Sequence, residues 1–272
     1  MAAAMNGMAL HGGVIPFGGT FLVFADYERP ALRLGAIQNC CVIHELTHDS
    51  FYVGEDGPTH HGALDLAYMR CIQDMIVTAP KSGNEFRHLL YTALNQSKKP
   101  FSIRYPKNSS VEFDENGQAE LLPIGSWEVM SRGSDIALLA VGPLVYTALE
   151  IGKTLAKEGI QCEIVNCRFI KPMDTQYLAS IVSKFSKVIT IEEGSITLSG
   201  RKIFEILKET KSSKFHIKEK ENNWIFISDG VARFNLASIL ARRRCHDRHK
   251  RRHSGEYDQQ DHLCHNRGRS RV

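Results

Sequence analysis

The chain has 272 residues, 43% of them hydrophobic and 24% charged, with a formal net charge of +4. That length accommodates two ordinary domains, each with its own core, and the composition is that of a soluble globular protein. No membrane span is expected, since no run of eighteen apolar residues exists; no secretory signal is read, since no basic segment precedes an apolar one at the start; and reduced thiols are expected rather than a disulfide framework, since seven cysteines are an odd number with no C-x-x-C pair.

The charge is unevenly placed. Residues 241–272 carry ten Lys/Arg against four Asp/Glu, so +6 belongs to the tail and −2 to the other 240 residues. Basicity therefore gives the body no footing for nucleic acid.

The Ala/Met-rich run Met1–Leu10 predicts a helix, stopped by His11-Gly12-Gly13 and lacking an N-terminal cap of its own. Val14-Ile15-Pro16-Phe17 predicts a short strand, and Gly18-Gly19 a close backbone approach. Phe21, Phe24 and Tyr27 recur at spacing three, which predicts one face of a helix, either a core stripe or an aromatic ligand wall. Pro30–Ile37 continues as helix and Cys40–Leu46 is a buried strand.

That strand feeds the densest stretch of chemistry in the chain. Residues 47–62 (Thr-His-Asp-Ser-Phe-Tyr-Val-Gly-Glu-Asp-Gly-Pro-Thr-His-His-Gly) hold three histidines, three acids and three glycines. A loop after a buried strand is where an open α/β sheet places its ligand, at the carboxyl ends of the strands. Histidine titrates near neutral pH and Asp accepts hydrogen bonds from hydroxyls, so the chemistry this loop offers is proton shuttling and hydroxyl binding. A polar surface loop with incidental histidines is the bland alternative.

The pattern then alternates. Helices are expected at Gly62–Ile72, Asn84–Asn95, Tyr146–Glu158, Thr175–Phe185 and Leu198–Lys208. Strands are expected at Met75–Ala79, Lys99–Lys107, Asp135–Val141, Gln161–Phe169, Lys187–Glu192 and Trp224–Ile227. Such alternation means right-handed βαβ units on largely parallel sheets. Residues 108–118 are polar and turn-rich, marking a connection between domains. Arg104, after a strand, offers a bidentate anion contact or is a plain surface residue. After Gly230 the tail holds five of the twelve histidines and two cysteines. Cys245, His246, His249 and His253 lack the spacing and the small core of a zinc site, so no metal site is assigned. A basic arm or a disordered tail left by a reading-frame error are the remaining readings, the latter preferred.

The string Gly54-Glu55-Asp56-Gly57-Pro58-Thr59-His60 resembles a signature of the transketolase family of thiamine diphosphate enzymes. Gly62–Cys71, Val165–Asp174 and Ile191–Ser195 resemble the 1-deoxy-D-xylulose-5-phosphate synthase branch. The resemblance runs from Met1 to about Gly230. It implies an α/β fold with two doubly wound domains: a pyrimidine-binding domain with a mostly parallel sheet at 1–110, a linker at 111–133, a C-terminal-like domain at 134–235, then a disordered basic tail at 236–272. It also implies that Phe21, Phe24 and Tyr27 surround the cofactor aminopyrimidine, that Arg104 meets the substrate phosphate, that His60 shuttles protons, that Asp56 binds a substrate hydroxyl and that His48 seats the acceptor. Thiamine diphosphate is the implied cofactor, with Mg2+ held by an N-terminal domain that this chain does not contain. Without that domain and its activating Glu, the isolated chain is expected to be inactive. The expected setting is cytoplasmic, with small-molecule substrates, no nucleic acid, no membrane, and either a homodimer or pairing with a diphosphate-binding domain. Around Gly18–Phe24 and His48–Phe51 the strings are transketolase-like rather than synthase-like. The donor therefore stays open between pyruvate and a ketose phosphate.

Overall fold

The computed structural model describes residues 1–50, 53–62 and 64–193, and the backbone of 225–227. Helix α1 (Ala2–His11) ends at Gly12, whose φ of 84° suits only glycine without strain. Strands β1 (Phe17–Phe21), β2 (Ile43–Thr47), β3 (Ile76–Thr78) and β4 (Phe101–Arg104) follow, interleaved with α2 (Ala25–Ile37), α3 (Asp65–Cys71) and α4 (Gly83–Gln96). They pair in the order β1-β2-β4-β3, all parallel. Every residue of β3 and β4 is buried, as a strand covered on both faces must be.

The second half adds β5 (Glu128–Ser131), β6 (Ile136–Ala140), α5 (Leu144–Ala156), β7 (Cys162–Asn166), β8 (Phe169–Lys171), α6 (Thr175–Lys184), β9 (Val188–Ile191) and β10 (Ile225–Ile227). The second sheet runs β10-β9-β6-β7-β5, parallel except for β5, which lies antiparallel on β7. Strand β8 leaves its own half and pairs antiparallel with β3, closing the first sheet. Two parallel α/β sheets were expected, and two are found.

Caps follow from the residues. Ser82 accepts the Glu85 N–H at 3.3 Å while Glu85 accepts the Lys81 N–H at 2.7 Å, a Ser-x-x-Glu box starting α4. Asp174 accepts the N–H of Tyr177 to start α6 and that of Trp127 at 3.1 Å. One apolar core runs through both halves, from Leu22, Leu46 and Val77 to Trp127, Leu139 and Ile181.

Four expectations need correction. The first strand is Phe17–Phe21, not Val14–Phe17. Strand β1 crosses Gly18 because α1 presses on it: a Cβ there would stand 2.7 Å from the Met5 sulfur. Phe21, Phe24 and Tyr27 do not share one helix; they sit at the end of β1, in a 3-10 turn (Leu22–Phe24) and in α2. Gln161–Phe169 is not one strand, because the chain turns at Cys167-Arg168 to deliver β8. The segment 111–133 is more than a connection: it contains all of β5, and buried Trp127 donates its indole N–H to the Phe169 carbonyl at 2.9 Å. The expected helix 198–208 and the tail 236–272, with its candidate cysteine and histidines, lie outside the described residues.

Candidate active site

Strand β2 ends at Thr47, and the backbone then enters the left-handed region twice, at His48 (φ 54°) and Ser50 (φ 63°). Side chains resist that region, so the surroundings must hold it. They do so with four contacts. Ser50 N–H donates to Asp65 Oδ2 at 3.0 Å, Gly62 N–H to the Ser50 carbonyl at 2.6 Å, and Asp49 N–H to the Tyr105 carbonyl at 3.3 Å. The Ser50 hydroxyl donates to the Glu193 carbonyl of the second half at 3.0 Å. Only glycine fits at Gly62, where a Cβ would fall 1.9 Å from Asp65 Oδ2.

The loop turns His48 onto Phe21, ring over ring at 3.6 Å and 15°. Phe24 lies 5.9 Å from Phe21 and 6.5 Å from Tyr27. The His60 ring meets Phe24 edge-on at 5.4 Å and Phe21 at 6.2 Å. Its Nδ1 is 3.0 Å from the Thr59 hydroxyl, and His48 Nδ1 is 3.1 Å from that of Thr47. Asp56 Oδ2 lies 3.9 Å from His48 Nε2 and accepts from Lys107 Nζ at 3.3 Å. Five of the six residues expected at the site's aromatic and catalytic positions thus touch in one chain of contacts: Phe21, Phe24, His48, His60 and Asp56. Tyr27 stands at the rim, 85% exposed.

Arg104 is placed differently from a surface arginine awaiting an anion. It is 4% exposed, with its guanidinium 3.2 Å from Asp49 and 4.0 Å from Asp65, and it donates to the Ser50 hydroxyl at 2.5 Å. Burial lowers the proton affinity of such a cation, but the two carboxylates reverse this and hold it charged. Asp49 and Asp65 are the nearest carboxylates to this one cation, with Glu193 and Glu192 adding to its field, so the acids around Arg104 outnumber it. Burial pushes Asp49 up, against the pull of Arg104, and pushes Asp65 up to about 7. These three residues set the loop that carries His48, yet Asp49 and Asp65 were not singled out from the sequence. The available signal was an aspartate opening a helix in an apolar run, Asp65-Leu66-Ala67, where burial without a cationic partner would be costly.

Chemically the cluster offers a half-open aromatic wall, two imidazoles that can accept or donate a proton, and a carboxylate for hydroxyls. Exposed ring faces of this kind fit a flat heteroaromatic group by stacking. Among the described residues no group of three or more His, Cys, Asp or Glu is arranged to hold a metal ion. Among the described residues, no helix is long and apolar enough to cross a membrane.

A parallel α/β sheet with an aromatic, histidine-bearing site at the strands' carboxyl ends defines a class of ligand-binding fold. Residues 1–111 match the pyrimidine-binding domain of transketolase and 125–220 the transketolase C-terminal domain, so the chain belongs to the transketolase family, which is thiamine diphosphate dependent. It is similar to 1-deoxy-D-xylulose-5-phosphate synthases. The protein of that name from Syntrophus aciditrophicus is 43% identical over 183 residues, 67% of this chain and 28% of the relative. That from Aquifex aeolicus is 42% identical over 161 residues, 59% and 25%. That from Halothermothrix orenii is 35% identical over 216 residues, 78% and 33%. The chain therefore spans a quarter to a third of the length of these relatives. Among solved structures, a split-gene transketolase described as an inactive beta4 tetramer superposes with a TM-score of 0.67 at 26% identity, covering 83% of this chain and 71% of that one. The Campylobacter jejuni transketolase has a TM-score of 0.63 at 24% identity, covering 76% and 32%, and shares the fold.

Proposed function

We propose that this chain is the pyrimidine-binding and C-terminal part of a 1-deoxy-D-xylulose-5-phosphate synthase, a transferase joining a two-carbon unit from pyruvate to glyceraldehyde 3-phosphate. The observation that carries this is the continuous wall Phe21–His48–Phe24–His60 on a chain about 40% identical to proteins of that name. Thiamine diphosphate supplies the electron sink for the two-carbon unit when bound. This chain's residues would do the rest. Phe21 and Phe24, with Tyr27 at the rim, stack on the aminopyrimidine. His60 moves a proton at the substrate carbonyl or hydroxyl oxygen, Asp56 accepts a substrate hydroxyl, and His48 seats the acceptor. Arg104 organises the loop under these groups; a phosphate reaching it must compete with Asp49 and Asp65. Mg2+ and the diphosphate would be held by a diphosphate-binding domain, on this protein or a partner. The setting is cytoplasmic.

The assembly would be a homodimer or a pairing with that domain. In support, large apolar groups of the first half stand exposed, including Leu10, Ile15, Phe17, Tyr27 and Ile37. A second reading, transfer of a ketol unit between sugar phosphates, is favoured by one observation: the structural likeness to a split-gene transketolase.

Calorimetric titration of thiamine diphosphate and Mg2+ into the chain, alone and with a diphosphate-domain chain added, tests both. Binding in the mixture followed by pyruvate turnover is the expected result. Turnover of xylulose 5-phosphate without pyruvate moves the assignment to ketol transfer, and a mixture that binds nothing overturns both.

A further inference from the structure

A second cavity of about 350 Å3 opens where the two halves and their connection meet, and it shares no lining residue with the aromatic site. Its walls are the Phe86 ring on α4, Tyr105 and Pro106 beyond β4, Val111 in the connection, and Pro143 at the start of α5. Phe86 and Tyr105 meet edge-to-face at 5.1 Å. Val111 stands 66% exposed at the mouth, an apolar side chain with little to cover it. Clefts of this size at domain junctions hold small molecules in general, and stacked proline and aromatic walls favour flat apolar ones.

The charges decide what kind. The α4 N-terminus faces this space, and a free helix start would attract an anion. Its donors are already taken: Gly83 N–H by the Ser110 hydroxyl at 2.7 Å, Asn84 N–H by the Glu112 carbonyl at 3.3 Å, and Glu85 N–H by Ser82. Lys81, the charged residue in the wall, is held by Glu128 at 2.7 Å and Glu85 at 3.6 Å. The wall thus presents rings and hydroxyls and no uncommitted cation among the described residues. We infer that this cavity is a binding site for a neutral, flat aromatic molecule of one or two rings, with Asn108 and Ser109 supplying the polar contacts at its edge. The site touches the candidate active site through Tyr105, whose carbonyl accepts the Asp49 N–H. It does not depend on which reaction the family assignment implies.

The probe is indole, titrated into the full chain by NMR, with inorganic phosphate and indole-3-carboxylate as charged comparisons. Saturable binding of indole that shifts the Phe86 and Tyr105 ring resonances, at least tenfold tighter than indole-3-carboxylate, is expected. Phosphate should not bind there. Ser109→Trp, which fills the mouth from an exposed loop, should weaken indole at least tenfold; Val111→Asp, which charges it, should do the same with no added bulk. No saturable indole binding, shifts confined to Phe21 and Phe24, phosphate binding tighter than indole, or undiminished binding in both variants would overturn the inference.

Discussion

Replacing Asp65 by Asn tests the charge count of the Arg104 cluster. Burial raises the Asp65 carboxyl from 3.8 to about 7, only partly opposed by Arg104. Between those values the native chain holds a proton that the unfolded chain has lost, so the wild type loses stability as pH rises through that window. A span of about three pH units at 1.36 kcal/mol each gives about 4 kcal/mol. Asn mimics the protonated acid and can still accept the Ser50 N–H, while Arg104 keeps Asp49 as its partner. Near pH 4 the two proteins should unfold alike. By pH 8 the variant should be the more stable by about 4 kcal/mol, a shift of about 1.5 M in the urea midpoint for a slope near 2.5 kcal/mol/M. Urea unfolding followed by circular dichroism at five pH values measures the gap, in which groups common to both proteins cancel. A gap that stays constant from pH 4.5 to 8 refutes the raised, buried Asp65 carboxyl.

His44 should show the opposite sign. It is 1% exposed on β2, its Nδ1 has no partner, and burial lowers it from 6.5 to about 4, so it contributes stability that is lost as pH falls from 6.5 through 4. His44→Leu should therefore gain about 3 kcal/mol on the wild type between pH 7 and 4, read from the same urea curves. Phe101→Ala opens a void beside Phe169, 6.4 Å away ring to ring, and should cost about 3–5 kcal/mol in equilibrium unfolding. Phe21→Ala should weaken thiamine diphosphate in the reconstituted mixture about tenfold, the upper range for one aromatic pair, by calorimetry. Lys107→Ala removes exposed pairs with Glu55 and Asp56 and should leave the unfolding midpoint unchanged at physiological salt.

Much of the architecture was legible because strand and helix periods dominate where burial is complete: Ile136–Ala140 and Leu144–Ala156 read directly as a buried strand and its crossover helix. Gly18-Gly19 was rightly read as a close approach, met by Met5 and Met1, but the first strand was set too early, since nothing local says that it runs through these glycines. Strand β8 was invisible for a related reason: its partner β3 lies about ninety residues away, and a three-residue run has no period of its own. At the site, residue types pointed to the loop at 47–62, and the family resemblance picked out His48, Asp56, His60 and the aromatics. The placement of Arg104 did not follow, because burial and the facing Asp49 and Asp65 are properties of packing, not of the Arg-Tyr-Pro string.

Strand β8 has a practical consequence. Cutting the chain in the connection at 111–133 separates two sequence families cleanly, yet it also strips β3 of the strand that covers its edge. The first half on its own would present β3 as a bare edge, open to pairing with another copy. The second would lose Ile43, Ile76 and Phe101 from around Phe169. A library that shuffles these halves between relatives therefore exchanges a seam, not a hinge, and swaps will succeed only where β3 and β8 travel together.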